Sequence, residues 1–202
     1  MNVAFYYHSA PNKESEELYD WMMDRAVEAV RKHMPRAKVW HLRGPSVPAR
    51  EVDDDIVLED RLRMQHHAFM GDTETLFLDI DAIVQEDVSD VFDKPFDAAV
   101  CVRPKATLHS WKRIPYNGGV TFTRSAEFWR GAERMYAPEG WPLSEVPLNR
   151  YIVTECGGFK LLRLPGERYN YSPGSLNEEL KDCAIVHWKG AERKRWMRER
   201  YG

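Results

Sequence analysis

The sequence predicts an α/β protein with a mixed, mostly parallel sheet flanked by helices. Short apolar runs typical of strands alternate along the chain with longer segments whose apolar residues recur at helical spacing. A helix between two strands is the crossover that a parallel pair requires. A chain of 202 residues has the length of one domain and can bury a sizeable core. We therefore expect residues 1–202 to form a single domain.

The first part of the chain supplies two strand–helix–strand units in succession. Val3–Tyr7 is an apolar and aromatic run that predicts a strand. Glu14–His33 has apolar residues at helical spacing and is followed by Pro35, which ends a helix. Lys38–Leu42 alternates as a second strand, and Leu58–Met70 is the next predicted helix. This helix leads into a third strand.

The third strand belongs to the stretch Glu74–Val84, in which two acids follow a continuous apolar run. Leu76–Leu78 predicts a strand covered on both faces. Asp79 and Asp81 are two residues apart, so in an extended chain both side chains point the same way. Carboxylates at the carboxyl end of a sheet lie where open α/β folds bind ligands, and they are suitable donors for a divalent cation. The alternative is that one acid caps the following turn and the other is solvated.

The rest of the chain continues the alternation of strands and helices. The predicted elements are a short helix Asp87–Phe92, strands Ala98–Val102 and Tyr116–Phe122, a helix Ala126–Met135 capped by Ser125, a helix from the Ser144 cap to Thr154, strands Phe159–Leu164 and Ala184–His187, and a helix Ala191–Arg200. Pro104–Pro115 and Pro165–Asn177 are predicted loops. Gly118 and Gly119, near the start of a strand, allow a close backbone approach to a ligand or form a bulge.

Composition excludes several classes of function. A formal net charge of −3 does not favour nucleic-acid binding. The three cysteines match neither a disulfide framework nor a zinc site, which predicts a reducing, cytoplasmic setting. No apolar run approaches the roughly 20 residues that span a bilayer, and no signal peptide is predicted. The acidic run Asp53–Asp55 is interpreted as solvated or capping rather than as a metal site.

Three polar features occur in order at predicted strand ends. Asp79-x-Asp81 follows a buried strand, Asn117–Val120 reads Asn-Gly-Gly-Val near the start of a later strand, and the last strand ends in His187–Gly190. In this order they resemble the nucleotide-sugar glycosyltransferases of the GT-A fold, especially the family 8 and glycogenin-like group. The resemblance implies a GT-A, Rossmann-like fold and a hexosyltransferase-like enzyme. Its donor would be a nucleotide sugar, with UDP expected, and its acceptor is unknown.

The resemblance also implies a metal site. Asp79, Asp81 and His187 would hold Mn²⁺ or Mg²⁺ on the donor diphosphate. Two carboxylates and one imidazole suit manganese and leave coordination positions for two phosphate oxygens. A cation there would stabilise the charge that grows on the leaving nucleoside diphosphate. Asp81 is therefore also a candidate catalytic residue.

The same resemblance suggests residues for the donor and its phosphates. Asn117 and Gly118 would lie against the donor sugar. The family's ending His-x-x-Gly-x-x-Lys-x-Trp matches this sequence only with a one-residue insertion, so any of several residues after His187 could meet the diphosphate. These candidates are Lys189, Gly190, Arg193 and Lys194.

Four further positions are expected to contribute. An arginine on the helix before Asp79 would help to hold the nucleotide, either Arg61, which we favour, or Arg63. Tyr6 and Tyr7 would stack on the base, with core packing as the equal alternative. The family's Asp-Gln pair corresponds to residues 144–146, which makes Glu145 a candidate catalytic acid without the neighbouring amide.

Two other functions share part of this pattern. A haloacid-dehalogenase-like phosphatase also places Asp-x-Asp after an apolar strand, and there Asp79 would be the nucleophile and Asp81 the general acid. That family usually has the motif on its first strand and a later acidic pair, neither of which is found here. A nucleotide-sugar-binding module without turnover is the second alternative, because the amide beside Glu145 is missing. The stereochemistry of transfer stays open.

Overall fold

The protein is described here by a computed structural model, which covers residues 1–7, 13–43, 52–103, 114–136, 145–180 and 182–202. Side chains 13–15, 43, 52–60 and 145 lie outside the described part. The elements are β1 (Asn2–Tyr7), α1 (Lys13–His33), β2 (Lys38–Arg43), α2 (Val52–Met70), β3 (Thr75–Leu78), β4 (Ala82–Val84), a 3₁₀ helix (Ser89–Asp93), β5 (Ala98–Val102), β6 (Tyr116–Thr123), α3 (Ala126–Arg134), α4 (Glu145–Thr154), β7 (Leu161–Pro165), α5 (Gly166–Tyr169), β8 (Ile185–His187) and α6 (Ala191–Tyr201).

Six strands form one sheet in the order β2-β1-β3-β6-β5-β7. The pairs β1–β2, β1–β3 and β5–β7 are parallel, whereas β6 runs antiparallel to both of its neighbours. The predicted mixed, mostly parallel sheet is therefore confirmed. Strands β4 and β8 form a separate antiparallel pair beside it. Strands β3 and β4 lie in one continuous stretch of the sequence, Glu74–Val84, but they belong to two different sheets.

Helices cover both faces of the main sheet. Successive residues of a strand point to opposite faces, so neighbouring residues of β1 contact different helices. In β1, Val3 and Phe5 pack into the cluster that contains Met22 of α1. Ala4 packs instead with Met70 at the end of α2. Among the described helices, none is both long and apolar enough to cross a bilayer.

Helix α2 is held against β6 by a buried histidine. His67 Nδ1–H donates to the Arg63 carbonyl at 2.8 Å, and His67 Nε2 accepts from the Thr121 hydroxyl at 2.9 Å. The imidazole stacks on Phe77 with ring centroids 3.6 Å apart. Burial lowers the pKa of His67 well below its usual value, so the ring stays neutral. The contact fixes the last turns of α2, including Arg63.

The two acids of the Asp-x-Asp motif lie in a turn. Strand β3 ends at Leu78, and the Ala82 N–H donates to the Asp79 carbonyl at 3.0 Å. The prediction that both side chains project from one extended strand was therefore wrong. The turn lies where the chain passes from the main sheet, which contains β3, to the pair that β4 forms with β8.

Other boundaries differ only locally from the predictions. Helix α2 begins at Val52 rather than Leu58, so the acidic run Asp53–Asp55 is helical in backbone, although its side chains lie outside the described part. The predicted loop after Pro165 contains the single helical turn α5. Ser125 caps α3 as predicted, since its side chain accepts from the Phe128 N–H at 3.3 Å. The predicted Ser144 cap and most of the loop Pro104–Pro115 lie outside the described residues.

Candidate functional site

Asp79, Asp81 and His187 meet at the carboxyl end of β3, an inner strand of the main sheet. His187 Nε2 lies 3.4 Å from Asp79 Oδ2 and 3.1 Å from Asp81 Oδ1. One donor atom from each of the three side chains lies within 4.8 Å of the other two. Asp81 and His187 are buried, with 6% and 2% of their surface exposed. The predicted convergence of two aspartates and a distant imidazole is confirmed.

Backbone pairing brings these residues together. In the antiparallel pair β4–β8, Ala82 lies opposite His187. One residue further out, the Trp188 N–H donates to the Asp81 carbonyl at 2.8 Å. The turn that carries the aspartates is thus attached to the strand that carries the histidine by main-chain hydrogen bonds.

Gly119 makes room for the cluster. The Asp79 N–H donates to the Gly119 carbonyl at 2.9 Å, so β6 passes directly beside the turn. A Cβ atom on Gly119 would come within 3.0 Å of both His187 and Asp79. The pairing of β5 with β6 also shifts register between Val100 and Cys101. The pairing is therefore irregular beside the two glycines, where the sequence left open a bulge or a close approach to a ligand. The close approach that the structure shows at Gly119 is to the side chains of the cluster.

Cationic side chains compensate the two aspartates. An Arg63 guanidinium nitrogen donates to Asp79 Oδ1 at 2.5 Å and to the Gly118 carbonyl at 2.9 Å. Lys194 Nζ lies 3.5 Å from Asp81 Oδ2. Burial alone would raise the pKa of the Asp81 carboxyl, but His187 and then Lys194 outweigh it and hold the pKa below its usual range. Asp81 is therefore ionised at neutral pH.

An adjoining cavity of about 300 Å³ opens beside the cluster. Its cationic lining consists of Arg63, Arg103, Lys189 and Lys194. Met64, Tyr136 and Leu148 add an apolar wall. Among the predicted donor-binding residues, Asn117, Gly118, Lys189, Gly190 and Lys194 line the cavity. The volume and the cationic lining suit an anionic small molecule.

Arg61 and Arg63, the two candidate arginines on α2, point in different directions. Two residues along an α-helix are about 200° apart, so only one of the pair can face a given side. Arg63 lines the cavity, whereas Arg61 donates from Nε to Glu133 on α3 at 3.3 Å. The structure thus places Arg63, and not the favoured Arg61, beside the aspartates.

Four other predicted residues lie elsewhere or cannot be placed. Arg193 donates from Nε to the Pro173 carbonyl at 2.6 Å and does not line the cavity. Tyr6 is buried against His66, with ring centroids 4.9 Å apart, and Tyr7 packs against the main core. The backbone of Glu145 begins α4, but its side chain lies outside the described part.

Asn170 is a further residue of the site that was not predicted from the sequence. Asn170 follows α5 and hydrogen-bonds to His187 and to Asn117. In the sequence it stands in a predicted loop between Tyr169 and Tyr171, without a pattern that distinguishes it from a solvated asparagine. Only the folded chain brings it next to the cluster.

Comparison with known proteins gives structural matches but no match in sequence. No family model and no curated protein matches the sequence. A glycosyltransferase involved in the glycosylation of the major capsid of PBCV-1 is 18% identical, with a TM-score of 0.69 over 98% of this chain and 100% of that one. The chain has the GT-A fold.

Two further solved structures support this assignment. The galactosyltransferase LgtC, in complex with donor and acceptor sugar analogues, is 12% identical, with a TM-score of 0.62 over 98% of this chain and 94% of that one. The glycosyltransferase GlyE of Streptococcus pneumoniae is also 12% identical, with a TM-score of 0.63 over 100% of this chain and 61% of its own. The predicted GT-A architecture is confirmed by these matches.

Gly119→Ala is expected to destabilise the protein by about 1–3 kcal/mol, because the new methyl group would collide with His187 and Asp79. Gly118→Ala is the matched control, since its Cβ would meet only Leu148 Cδ2, at 3.8 Å. Denaturant unfolding of both variants measures the difference. Equal stability of the two variants would contradict the close packing described for Gly119.

Proposed function

We propose that the protein is a metal-dependent glycosyltransferase that moves a sugar from a nucleoside diphosphate donor, with UDP as the expected nucleotide, to a separate acceptor. One observation carries the proposal. Asp79, Asp81 and His187 converge beside a cavity lined by cationic side chains. The fold, shared with solved glycosyltransferases, supports the same reaction class.

The donor set fits a hard or borderline divalent cation. Asp79 and Asp81 each offer a carboxylate oxygen, and His187 offers Nε2, all within one coordination sphere's reach. This combination suits Mn²⁺ or Mg²⁺ and leaves positions for phosphate oxygens. When bound, such an ion supplies Lewis-acid stabilisation of the negative charge on the leaving diphosphate. Asp81 thereby contributes to catalysis through the ion that it holds.

The cations of the cavity are suited to the phosphates. Lys189 and Lys194 lie on the cavity wall, and Gly190, with φ of 90°, precedes the first turn of α6. A helix N-terminus with nearby ammonium groups favours phosphate oxygens through charge-assisted hydrogen bonds. We therefore assign the diphosphate to Lys189, Gly190 and Lys194. Arg193 is not assigned to it, because its guanidinium is held by the Pro173 carbonyl.

We assign the donor sugar to Asn117 and Gly118. Both residues line the same cavity, together with its apolar wall. Arg63, between Asp79 and the Gly118 carbonyl, would orient the donor close to the metal ligands. We retain Glu145 as a proposed catalytic acid, since its backbone lies one helical turn before Leu148, which lines the cavity.

The phosphatase alternative is not favoured. In the described part of the chain, the Asp-x-Asp turn follows the third strand in sequence and lies beside an antiparallel neighbour, β6. The solved structures compared above, which match over nearly the whole chain, are glycosyltransferases. The other alternative is a binding module without turnover. A transferase should release UDP from UDP-sugars in the presence of Mn²⁺, whereas a binding module should not.

Asp81→Asn should weaken Mn²⁺-dependent UDP binding by at least about 100-fold, because it removes a charged ligand while keeping the side-chain shape. Isothermal titration of UDP with and without Mn²⁺ measures the loss. Asp93→Asn, on the exposed end of the 3₁₀ helix, is the matched control and should bind as the wild type does. UDP affinity that is unchanged in Asp81→Asn would count against the proposed metal site.

Lys194→Met should have opposite effects on two ligands. It removes a cation that competes for Asp81, so Mn²⁺ alone should bind more tightly. It also removes a charge-assisted hydrogen bond to the diphosphate, so UDP with Mn²⁺ should bind about 10-fold more weakly. Titrations of Mn²⁺ and of UDP measure the two effects, with the exposed Lys160→Met as control. Unchanged UDP affinity would remove Lys194 from the diphosphate site.

A further inference from the structure

A series of buried hydrogen bonds through two asparagine side chains connects β6 to the imidazole of His187. Asn117, Asn170 and His187 are all at least nine-tenths buried, with 6%, 7% and 2% of their surface exposed. Asn117 Oδ1 accepts from the Gly119 N–H at 3.0 Å and from Asn170 Nδ2 at 2.6 Å. Asn170 Oδ1 lies 2.8 Å from His187 Nδ1. Asn117 thus lies between the Gly119 N–H and Asn170, and Asn170 lies between Asn117 and His187.

The direction of every hydrogen bond in this series follows from a single backbone group. The Gly119 N–H can only donate, so the Asn117 atom that meets it must be the amide oxygen. The group that shares this oxygen must also donate, so Asn170 presents its nitrogen to Asn117 and its oxygen to His187. An amide oxygen can only accept, and therefore His187 Nδ1 carries a hydrogen.

We propose that Asn170 is a positioning residue that fixes the tautomer of the neutral His187 imidazole, so that in this form Nε2 carries no hydrogen and is presented to the metal. Nε2 is the nitrogen that faces Asp79 and Asp81, at 3.4 and 3.1 Å. With the hydrogen on Nδ1, the Nε2 lone pair and two carboxylates point into the same space. This inference rests on the proposed metal site and adds the residues that prepare it.

Three acceptors that face one another repel unless a cation lies between them. This series of hydrogen bonds therefore prevents the imidazole from turning the N–H of its neutral form toward the aspartates, where it would satisfy them without a metal. A residue that hydrogen-bonds the second nitrogen of a metal-binding histidine sets both its tautomer and its orientation. Asn170 holds this position, and Asn117 in turn orients Asn170.

The tautomer can be measured without any metal. Long-range ¹H–¹⁵N correlation spectra of the metal-free protein at mildly alkaline pH distinguish Nδ1–H from Nε2–H histidines, and a His187→Gln variant assigns the signal. The wild type is expected to show Nδ1–H at His187. Asn170→Leu should lose this pattern, because Nδ1 then has no acceptor. A wild-type signal with a hydrogen on Nε2 would overturn the inference.

Two variants separate positioning from stability. Asn170→Leu should weaken Mn²⁺ binding by about 10–100-fold. Asn170→Asp keeps an acceptor for His187 but places a second oxygen against Asn117, so it should lose stability and yet keep its tautomer and most of its Mn²⁺ affinity. A loss of Mn²⁺ affinity in Asn170→Asp equal to that in Asn170→Leu, with the Nδ1–H pattern also lost, would contradict the assignment.

A second buried amide provides the control. Asn149 is 5% exposed and makes two hydrogen bonds to the backbone of Tyr116, at 2.9 and 3.0 Å. Asn149→Leu should lose stability but retain the His187 tautomer. If the wild type fails to bind Mn²⁺ while the Asn170-dependent tautomer is present, the proposed function fails and the positioning role of Asn170 stands. If Mn²⁺ binds and the tautomer is Nε2–H, only the role of Asn170 fails.

Discussion

The pairing of β4 with β8 is the constraint on which the candidate site depends. This two-stranded pair places Ala82 opposite His187, although the two residues are far apart in sequence. The Asp-x-Asp turn immediately before β4 is thereby attached to the strand that ends in the histidine. Without this pairing, the acids would lie at the end of β3 with no imidazole beside them. The small second sheet therefore serves to complete a cluster that the main sheet only begins.

The same constraint creates an electrostatic cost, because it brings two carboxylates together in a partly buried place. An uncompensated buried charge costs several kcal/mol, so each acid needs a partner. Arg63 supplies one for Asp79, and Lys194 supplies one for Asp81, joined by His187 when its imidazole is protonated. These groups lie on three different helices or strands, α2, β8 and α6. The site is thus held by contacts between elements that are distant in sequence, and the close approach at Gly119 leaves no room for a side chain there.

Much of the fold could be predicted from the sequence, because it depends on patterns along the chain. Helical spacing in α1 and the apolar runs of β1, β3 and β5 indicate their structure without reference to neighbours. Asp79, Asp81 and His187 stand out because polar residues at the ends of apolar strands need a reason. What the sequence could not supply is three-dimensional placement. Nothing in it shows that β4 leaves the main sheet, which is why the extended geometry of the Asp-x-Asp motif was wrong.

The rotation of α2 about its axis and the role of the buried asparagine side chains could not be predicted from the sequence either. The choice between Arg61 and Arg63 depends on the rotation of α2 about its axis, and His67 bonding to Thr121 on β6 helps to fix that rotation. Asn170 gains its position only when α5 and β8 pack together with β6. Polar residues that act by orienting a neighbour have no spacing rule of their own. They are recognised by following hydrogen bonds outward from a group whose direction is certain, such as the Gly119 N–H.

Anomalous diffraction from crystals grown with Mn²⁺ and UDP would locate the metal directly. We expect one manganese peak within bonding distance of Asp79, Asp81 and His187, with UDP phosphate oxygens completing its coordination. A manganese peak bound elsewhere, or UDP bound in the cavity with no metal between the phosphates and the aspartates, would contradict the proposed metal site.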